Sequence, residues 1–507
     1  MYSSRAVVHA ALKVPWSRTQ AFKPLHRHSL ATPKMGDSIP PISRNFSIAA
    51  KDMGKLDYQT IKVNQDRLMK SIHETCEFGT GERAPTETGM SRLALSDADK
   101  QVRDWFVQTT QNLGCQTTVD SMGNIFAVRP GRHGLNGPAT FAGSHLDTQP
   151  TGGRYDGILG VHAGVEMLRV LQELDIQTEF PVGVINWTNE EGARFPKSMT
   201  ASGVWAGEIP EADAYSLQEV GGGTATIQSE LQRIGYLGMV PASYQAMPIA
   251  AHFELHIEQG PILETEQKKI GIVTGVQAYR WFTLDVRGRG KSHAHTGTTP
   301  FAARADALLL AARMIVHAQL LAATKGALAS TGILTALPGS TNTVPGHVRF
   351  SLDIRAPLDA TVDELETALR KDFDALARGE PTAYSPAPPG NGRPLTVSWQ
   401  ADTLSPATHF HPDCIAAVRD AAHSVLAAPA AASSASPSSL LREITSGAGH
   451  DSVYTSRHCP TSMIFVPCRD GVSHNPTEYC SPEDCALGAE VLCQAVLRYD
   501  QLRSAAA

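Results

Sequence analysis

From about Tyr58 onward, short apolar runs alternate along the chain with longer amphipathic segments. This alternation predicts an α/β fold, because helices that connect parallel strands pack on the faces of their sheet. Residues 158–171 carry apolar side chains on one helical face directly after a glycine-rich turn, and residues 182–187 are typical of a buried strand. The order strand, turn, helix and strand predicts a parallel sheet.

A second region with a different pattern begins near Gly275. Residues 282–286 and 348–354 alternate between apolar and polar side chains, as half-exposed strands do, and residues 301–319 have the spacing of a helix. Residues 386–394 are rich in Pro and Gly and indicate a loop near the end of this region. We therefore expect a small α+β domain inserted into a larger α/β domain.

The predicted boundaries follow from these patterns. The larger domain consists of residues 58–274 and 406–507, and the inserted domain of residues 275–405. A helical pattern resumes at residues 414–426. Residues 427–439 are almost all Ala, Ser and Pro, which predicts a disordered surface loop.

The composition agrees with two hydrophobic cores, since a chain of 507 residues with 42% hydrophobic content is too long for one. The net charge of −6 gives no overall attraction for a phosphate backbone, so we expect no nucleic-acid partner. The longest apolar runs are too short for the ~20 residues of a membrane span, so we expect no membrane segment. The eight cysteines are scattered and favour reduced thiols in an intracellular compartment.

The first 47 residues differ in composition from the rest of the chain. No acidic residue precedes Asp37, and basic side chains are spread among Ser, Thr and Ala, which is typical of a mitochondrial transit peptide. Residues 44–47 resemble a matrix-protease cleavage site. We expect a mitochondrial matrix protein. The alternative is a cytoplasmic protein with a disordered extension, for which Met35 offers an internal start.

Candidate chemistry lies in four polar clusters, each of which follows a short apolar run: residues 144–147, 189–192, 256–260 and 473–476. In an open parallel sheet such clusters converge at the carboxyl ends of the strands. Asp156 lies between the first two, among glycines. Together they supply His, Asp, Glu, His and His, a set that suits a pair of divalent zinc, manganese, cobalt or nickel ions. One of these residues alone would be weak evidence for a metal site.

Seven blocks in this order resemble the signatures of the M20-type amidases that include N-carbamoyl-L-amino-acid hydrolase, β-ureidopropionase and allantoate amidohydrolase. The blocks are residues 143–148, 153–157, 189–192, 256–260, 295 with 297–300, 446–451 and 473–476. The resemblance covers the chain from about Tyr58 to its end. It implies a zinc-exopeptidase-like catalytic domain with an open, mainly parallel sheet, and an inserted α+β, ferredoxin-like domain that acts as lid and dimerisation domain.

The resemblance also implies roles in the catalytic domain. His145, Asp156 and His256 would bind one ion, and Asp156 would bridge to a second ion bound by Glu191 and His474. Glu190 would be the general base. We expect Glu190 and Glu191 to point in opposite directions, because adjacent residues of extended backbone do so. Asp147, two residues after His145, is a candidate to orient that imidazole.

In the inserted domain, the resemblance implies that His295 stabilises the oxyanion in the active site of the partner subunit of a homodimer. Asn342 and Arg355 would bind the substrate carboxylate, a task that suits the fork of a guanidinium. Gln259 and Gln277 are candidates to contact the ureido group, although a strand-surface role for Gln277 is equally favoured. Beside His295, Thr296 and Phe301 replace the family's usual Ala and Met, which puts the size of the substrate in doubt.

The expected activity is hydrolysis of the carbamoyl C–N bond of an N-carbamoyl-L-amino acid or N-carbamoyl-β-alanine, with two metal ions, to give amino acid, ammonia and carbon dioxide. Gln277 with Arg280 and Trp281 favours these substrates, and allantoate is the nearest alternative. A peptidase or deacylase of the wider superfamily fits the blocks at 256–260 and 297–300 less well. A catalytically silent protein that binds ureido acids is the alternative of another class, and the intact ligand and base positions argue against it.

Overall fold

The computed structural model describes residues 56–79, 89–288, 293–387, 392–430 and 436–506. The predicted transit peptide at residues 1–47 lies outside the described residues, and the predicted loop at 386–394 lies only partly within them.

The described residues form strands and helices in alternation. The strands are β1 (Gln116–Val119), β2 (Ile125–Arg129), β3 (Ala139–His145), β4 (Val182–Trp187), β5 (Ile249–Ile257), β6 (Ile270–Val276), β7 (Ala278–Gly288), β8 (Ala294–His295), β9 (Leu328–Ser330), β10 (Leu334–Leu337), β11 (Thr343–Val344), β12 (His347–Ala356), β13 (Leu395–Ser405), β14 (Thr408–His409), β15 (Leu441–Ser446) and β16 (Thr461–Val466). The α-helices are α1 (Gln65–Cys76), α2 (Asp97–Asn112), α3 (Ile158–Glu173), α4 (Thr200–Trp205), α5 (Glu211–Ser216), α6 (Ile227–Ile234), α7 (Ile262–Thr265), α8 (Ala307–Thr324), α9 (Asp359–Ala377), α10 (Pro412–Ala430), α11 (Asp451–Thr455) and α12 (Pro482–Ala506).

The large sheet of the described residues has the strand order β1-β2-β4-β3-β5-β16-β6-β14, and β15 pairs with β6. Its centre, β4-β3-β5-β16, is parallel, whereas β1, β2 and β14 pair antiparallel at the edges. The carboxyl ends of the four central strands therefore meet at one edge of the sheet. This open sheet with a parallel centre confirms the predicted fold of the catalytic domain.

The core of this domain lies between the sheet and the long helices α1, α3, α10 and α12. Strand β4 is buried on both faces: Val184 packs in the main core, and Trp187 packs against Phe126 and Trp205 on the other face. A strand buried on both faces is apolar throughout, which is why residues 182–187 were recognisable from sequence.

The inserted domain is an antiparallel sheet in the order β10-β12-β7-β13, with β9 paired to β12 and with α8 and α9 packed on one face. Phe282 and Leu284 of β7 and Phe373 of α9 lie in its core. The alternating exposure of residues 282–286 follows the predicted half-exposed strand. This domain is the α+β lid that the sequence pattern predicts.

Two predicted element boundaries are wrong. The helix expected from residue 301 begins at Ala307, because the Asp306 carboxylate caps it by accepting from the backbone N–H of Leu309 at 3.0 Å, while Phe301–Ala303 forms a separate 3₁₀ helix. The loop expected at 427–439 is shorter, since α10 continues to Ala430 and Pro437–Leu440 forms another 3₁₀ helix. Alanine favours helix, so the Ala-rich start of that segment extends α10.

Helix α8 is the one helix among those described that is long and apolar enough to cross a membrane by length and composition. Its inner side packs in the lid core through Leu310, Ala311 and Met314. A single such helix is weak evidence for a membrane span, because core helices meet the same criterion. All eight cysteines lie in the described residues, are buried and are free.

Arg92 is fully buried and ties the segment after β3 to helix α1. Its side chain donates to the carbonyls of Leu146 at 2.7 Å, Thr75 at 2.8 Å and Phe78 at 3.0 Å. Its backbone exchanges hydrogen bonds with Thr148 at 2.8 Å. Arg92 therefore holds the end of β3, where candidate site residues lie.

We predict that Arg92→Met lowers the free energy of unfolding by roughly 3 kcal/mol or more, because three buried carbonyls lose their donor. Urea-induced unfolding followed by fluorescence measures this effect as a lower midpoint.

Arg132→Met is the matched control, since Arg132 pairs with Glu179 while 30% of its side chain is exposed. We expect it to cost less than about 1 kcal/mol. Equal losses in the two variants would contradict the role given to Arg92.

Candidate active site

The candidate residues lie at the carboxyl ends of the central strands. His145 ends β3, His256 is the last but one residue of β5, and Glu190 and Glu191 follow β4. Asp156 lies two residues before α3, and His474 lies in the segment after β16. The four polar clusters of the sequence thus converge at one edge of the sheet, as predicted.

The side chains form two groups that share Asp156. In the first, Asp156 Oδ1 lies 3.7 Å from His145 Nε2 and 3.1 Å from His256 Nε2. In the second, His474 Nε2 lies 3.3 Å from Asp156 Oδ2 and 3.4 Å from Glu191 Oε2. Each oxygen of one carboxylate therefore faces a different set of ligand atoms.

Backbone carbonyls orient the two buried imidazoles. His145 Nδ1 lies 2.9 Å from the carbonyl of Asp147, and His256 Nδ1 lies 2.8 Å from the carbonyl of Ile257. These contacts aim both Nε2 atoms at Asp156. His145 Nε2 is buried and has no hydrogen-bond partner among the described residues, which is the state expected of a free metal-ligand atom.

The side chain of Asp147 acts differently from the sequence-based expectation. Its carboxylate lies 3.9 Å from His145 Nδ1, and it accepts hydrogen bonds from the backbone N–H groups of Glu190 and Glu191, both at 3.3 Å. Asp147 thus orients His145 through its carbonyl and the two glutamates through its carboxylate.

Glu190 and Glu191 point to different parts of the site. Glu190 Oε2 lies 3.5 Å from His145 Nε2, whereas Glu191 reaches His474 and accepts from Gln149 Nε2 at 2.8 Å. The backbone here is a bend, with Asn189 at φ 55°, and not the extended chain that we expected. The amide of Asn189 holds the bend by donating to the carbonyls of Phe195 and Lys197.

Burial and neighbouring charges set the protonation of the carboxyl groups. Burial, followed by the charges of Asp451 and Glu191, raises the pKa of Glu190 well above its usual range. Burial would also raise the pKa of Asp156, but the imidazoles of His256, His474 and His145 hold it well below its usual range. Glu190 therefore holds a proton more readily than a free glutamate does, whereas Asp156 beside it stays ionised.

Residues that the sequence reasoning missed hold Asp156 in place. The buried carboxylate of Glu478 accepts from the backbone N–H groups of Tyr155 at 2.9 Å and Asp156 at 3.1 Å, and from Ser473 Oγ at 3.0 Å. Ser473 Oγ in turn donates to Asp156 Oδ2 at 2.7 Å. The only sequence signal for a role of Glu478 is its position four residues after His474.

Gln259 lies beside the metal-ligand candidates. Its Nε2 donates to Asp156 Oδ2 at 2.7 Å and to Ser473 Oγ at 3.2 Å, while its buried Oε1 lacks a partner among the described residues. The side chain therefore reaches the site, where the sequence placed it.

A cavity of about 230 Å³ opens onto these groups. Arg355 and the aromatic side chains of Tyr279 and Trp281 line it from the lid, and His450 lines it from the catalytic domain. A charged group, two aromatic walls and a cluster of metal-ligand atoms suit a small anionic substrate.

Arg355 lies where the two domains meet. Its guanidinium pairs with Asp353 at 2.7 Å and donates to the carbonyl of Gly447 at 2.8 Å. Gln277 Nε2 donates to the same carbonyl at 3.1 Å, but Gln277 lines a neighbouring cleft of about 640 Å³. Arg280 points away from the site and pairs with Asp363 and Glu366 of α9, so it gives no support to the substrate preference.

His295 and Asn342 lie outside this cavity. Both are exposed on the lid, in the pair β8–β11 and the loop before it, and the carbonyl of Asn342 accepts from the backbone N–H of Thr296 at 3.0 Å. One chain thus assembles the metal-ligand candidates and Arg355 but not these two residues.

Two further histidines have structural contacts. His162 is buried in α3, where it bonds Ser71 and Thr75 and stacks on Trp105. His450 bonds Ser446 Oγ at 3.0 Å and packs against the ring of His256 at 4.6 Å. His450 also forms a further ligand-like group with Glu254 and His256.

Comparisons with known proteins agree with this geometry. An N-carbamoyl-L-amino-acid amidohydrolase of Rhizobium meliloti is 39% identical over 438 residues, which cover 86% of this chain and 96% of that protein. A ureidoglycolate hydrolase of Oryza sativa subsp. japonica is 31% identical over 86% of this chain and 85% of its own. The solved structure of a hydantoinase/carbamoylase-family amidase of Burkholderia multivorans matches with a TM-score of 0.75 and 41% identity, over 87% of this chain and 98% of that one. Residues 141–498 match the model of Peptidase family M20/M25/M40, and the chain belongs to this family.

Proposed function

We propose that this protein hydrolyses the carbamoyl C–N bond of N-carbamoyl-L-amino acids or N-carbamoyl-β-alanine and releases the amino acid, ammonia and carbon dioxide. The observation that carries the proposal is the pair of ligand groups that share Asp156 beside Glu190. The 39% identity to an N-carbamoyl-L-amino-acid amidohydrolase supports this substrate class.

The donor set fits two divalent ions. His145, Asp156 and His256 would hold one, and Asp156, Glu191 and His474 the other. The partnerless Nε2 of buried His145 and the two differently directed oxygens of Asp156 support this arrangement. Bound there, the ions would polarise the scissile carbonyl and increase the acidity of water.

Glu190 is the proposed general base. It is buried, lines the cavity and reaches to 3.5 Å from His145 Nε2, so as a carboxylate it can accept a proton from the attacking water and pass it to the leaving nitrogen. Asp147 positions it through the backbone N–H bond at 3.3 Å.

Arg355 is the proposed carboxylate-binding residue, since its guanidinium lines the cavity and its fork matches a carboxylate. In this structure one arm of the fork is held by Asp353 and the other by Gly447. A substrate carboxylate would replace the weaker of these contacts, the bond to the neutral Gly447 carbonyl. Gln259, with a free acceptor oxygen, is suited to a ureido N–H.

We further propose a homodimer formed through the lid, in which His295 and Asn342 serve the partner's active site. The outward side of α8 exposes Leu308, Val316 and Leu320, and the edge strand β10 exposes Leu334 and Leu337. An apolar helix face beside an unpaired strand edge favours association with a second copy.

Ureidoglycolate is a second candidate substrate, favoured by the 31% identity to the rice ureidoglycolate hydrolase. It carries the same carboxylate and carbamoyl groups, so the same residues would bind it.

The activity test compares ammonia release from N-carbamoyl-L-amino acids, N-carbamoyl-β-alanine, ureidoglycolate and allantoate, together with metal content by mass spectrometry. We expect about two ions per chain and turnover of at least one N-carbamoyl substrate.

Glu190→Gln should keep both ions but lose at least ~100-fold in kcat, because an amide cannot accept the proton. Glu191→Gln should instead lose about one ion per chain.

These two glutamates serve as controls for one another. The assignment of base and ligand is reversed if Glu190→Gln loses metal while Glu191→Gln keeps it. A protein that binds ureido acids without turning them over would instead be the silent binding protein.

A third prediction concerns Gly157, at φ +66°, where an added Cβ would lie 2.3 Å from the ring of His145. Gly157→Ala should displace this imidazole and lower metal occupancy by up to one ion per chain, with a matching loss of activity. Mass spectrometry of the metal and ammonia release measure the two effects.

Gly207→Ala is the matched control, because Gly207 has φ +76° but no atom within 4 Å of the added Cβ. Both variants place alanine at a positive φ, which strains the backbone by about 1 kcal/mol or more, and only Gly157→Ala also carries the clash. Full metal occupancy in Gly157→Ala would argue against His145 as a ligand.

The fourth prediction tests the shared active site. His295→Ala and Glu190→Ala should each abolish activity alone. In a mixed dimer one site carries both lesions and the other neither, so about half of the sites should be intact in purified mixed dimers, compared with about a quarter of all sites after random reassociation. Co-expression with two different affinity tags isolates the mixed dimers, and turnover per chain measures recovery.

The dimer of two Glu190→Ala chains, carrying both tags, is the control and should stay inactive. Inactive mixed dimers of verified composition would show that His295 does not act across the interface.

A further inference from the structure

A separate cavity of about 300 Å³ lies within the lid, away from the candidate active site. Its apolar wall comes from α8, α9 and the start of β13, through Leu309, Leu310, Leu376 and Leu395, with Phe301 at its side. Its size suits a small organic molecule.

Three arginines also line this cavity: Arg304, Arg313 and Arg393. None of them forms an ion pair with a carboxylate of the described residues, in contrast to most arginines on the lid, such as Arg280 with Glu366 and Arg349 with Asp285. The one acidic lining residue, Asp306, uses its carboxylate to cap α8. The cavity therefore carries an excess of positive charge on apolar walls.

The arginines are held in place by neutral groups. Arg313 Nε donates to Ser385 Oγ at 2.8 Å, and a second nitrogen donates to the carbonyl of Pro386. Burial lowers the pKa of Arg313, as expected of a cation removed from water without a counter-charge. A partly buried guanidinium with donors left over stabilises a bound anion better than an exposed one does.

Arg304 connects the cavity with the loop that carries His295. Its Nε donates to the carbonyl of Thr299 at 2.9 Å and a terminal nitrogen to the carbonyl of Thr296 at 2.6 Å, and its own carbonyl accepts from the backbone N–H of Arg393 at 2.7 Å. A ligand that binds Arg304 or Arg393 therefore contacts a side chain that is hydrogen-bonded, directly or through one backbone bond, to residues 296 and 299, close to His295 in the chain.

We propose that this lid cavity is a binding site for a small carboxylate with an apolar body, distinct from the substrate site. The leucines and Phe301 receive the apolar part, and Arg313 and Arg393 bind the carboxylate. The site goes beyond the proposed function, and binding there does not depend on the reaction. Only an effect of the ligand on turnover, through Arg304 and His295, rests on the proposed function.

The test measures binding of 3-phenylpropanoate to the full-length, metal-loaded protein by isothermal titration calorimetry, with 3-phenylpropanamide as the neutral isostere. Arg393→Gln and Arg313→Gln should each weaken binding of the carboxylate about tenfold, because each removes a charge-assisted hydrogen bond. The amide should bind the wild-type protein at least about tenfold more weakly than the carboxylate. Arg349→Gln, an exposed arginine of the same domain outside the cavity, is the matched control and should leave binding unchanged.

Arg355→Gln separates this cavity from the substrate site. If Arg355→Gln abolishes binding and Arg393→Gln does not, the carboxylate occupies the substrate site and the proposal is wrong. Equal affinity for carboxylate and amide would also overturn it. Should Arg313→Gln fail to fold because it loses Ser385 and Pro386, the exposed Arg393 still provides the test.

The natural ligand has two possible sources, the protein's own N-carbamoyl substrate or an unrelated carboxylate. Titration of N-carbamoyl-L-leucine into the Glu190→Gln protein distinguishes them. A second binding event that is lost in Glu190→Gln combined with Arg393→Gln identifies the substrate class as the ligand. Binding of 3-phenylpropanoate without such an event identifies a separate carboxylate.

Discussion

The buried carboxylate of Asp156 is the constraint on which the rest of the site depends. A buried carboxylate costs several kcal/mol unless cations and hydrogen-bond donors surround it. Three imidazoles, Ser473 and Gln259 supply this surrounding, and their pull keeps its pKa low although burial opposes it. These groups come from three separate segments of the chain, so they surround the buried carboxylate only when the central strands are in register.

Holding these segments at one point requires unusual backbone. Asn189, Gln259 and His474 all have positive φ, between 54° and 57°, a region that costs non-glycine residues of order 1 kcal/mol each. The surrounding structure stabilises these conformations through the bonds of the Asn189 amide and the fixed ends of β4, β5 and β16. Part of the backbone strain of the described residues thus lies at the candidate ligands and beside them.

Sequence patterns were sufficient to predict the strands and helices in which buried side chains recur at a short, regular spacing. Strand β4 and helix α3 were predicted at nearly their observed bounds, and the polar clusters converge because parallel strands end together. Interactions between distant residues were not predictable, since Glu478 binds the backbone of Asp156 across 322 positions of the chain. The start of α8 was missed for a local reason, because the helical spacing of residues 301–306 hid the cap at Asp306. The Asp147 carboxylate bonds the glutamates beyond β4, although the sequence linked it to its neighbour His145.

The candidate metal ligands lie in one domain and most of the candidate substrate contacts in the other. This separation is consistent with relatives of different substrates sharing one fold. The candidate ligands and Glu190 lie on the rigid edge of the large sheet, whereas Tyr279, Trp281 and Arg355 reach the cavity from the lid. At this point Arg355 and Gln277 donate to the carbonyl of Gly447, and the backbone N–H of Gln277 donates to the carbonyl of Ser446. Tyr279, Trp281 and Arg355 lie on β7 and β12, which carry none of the candidate metal ligands. Since every ureido acid presents the same bond to the sheet edge, we propose that discrimination among them depends on these lid side chains.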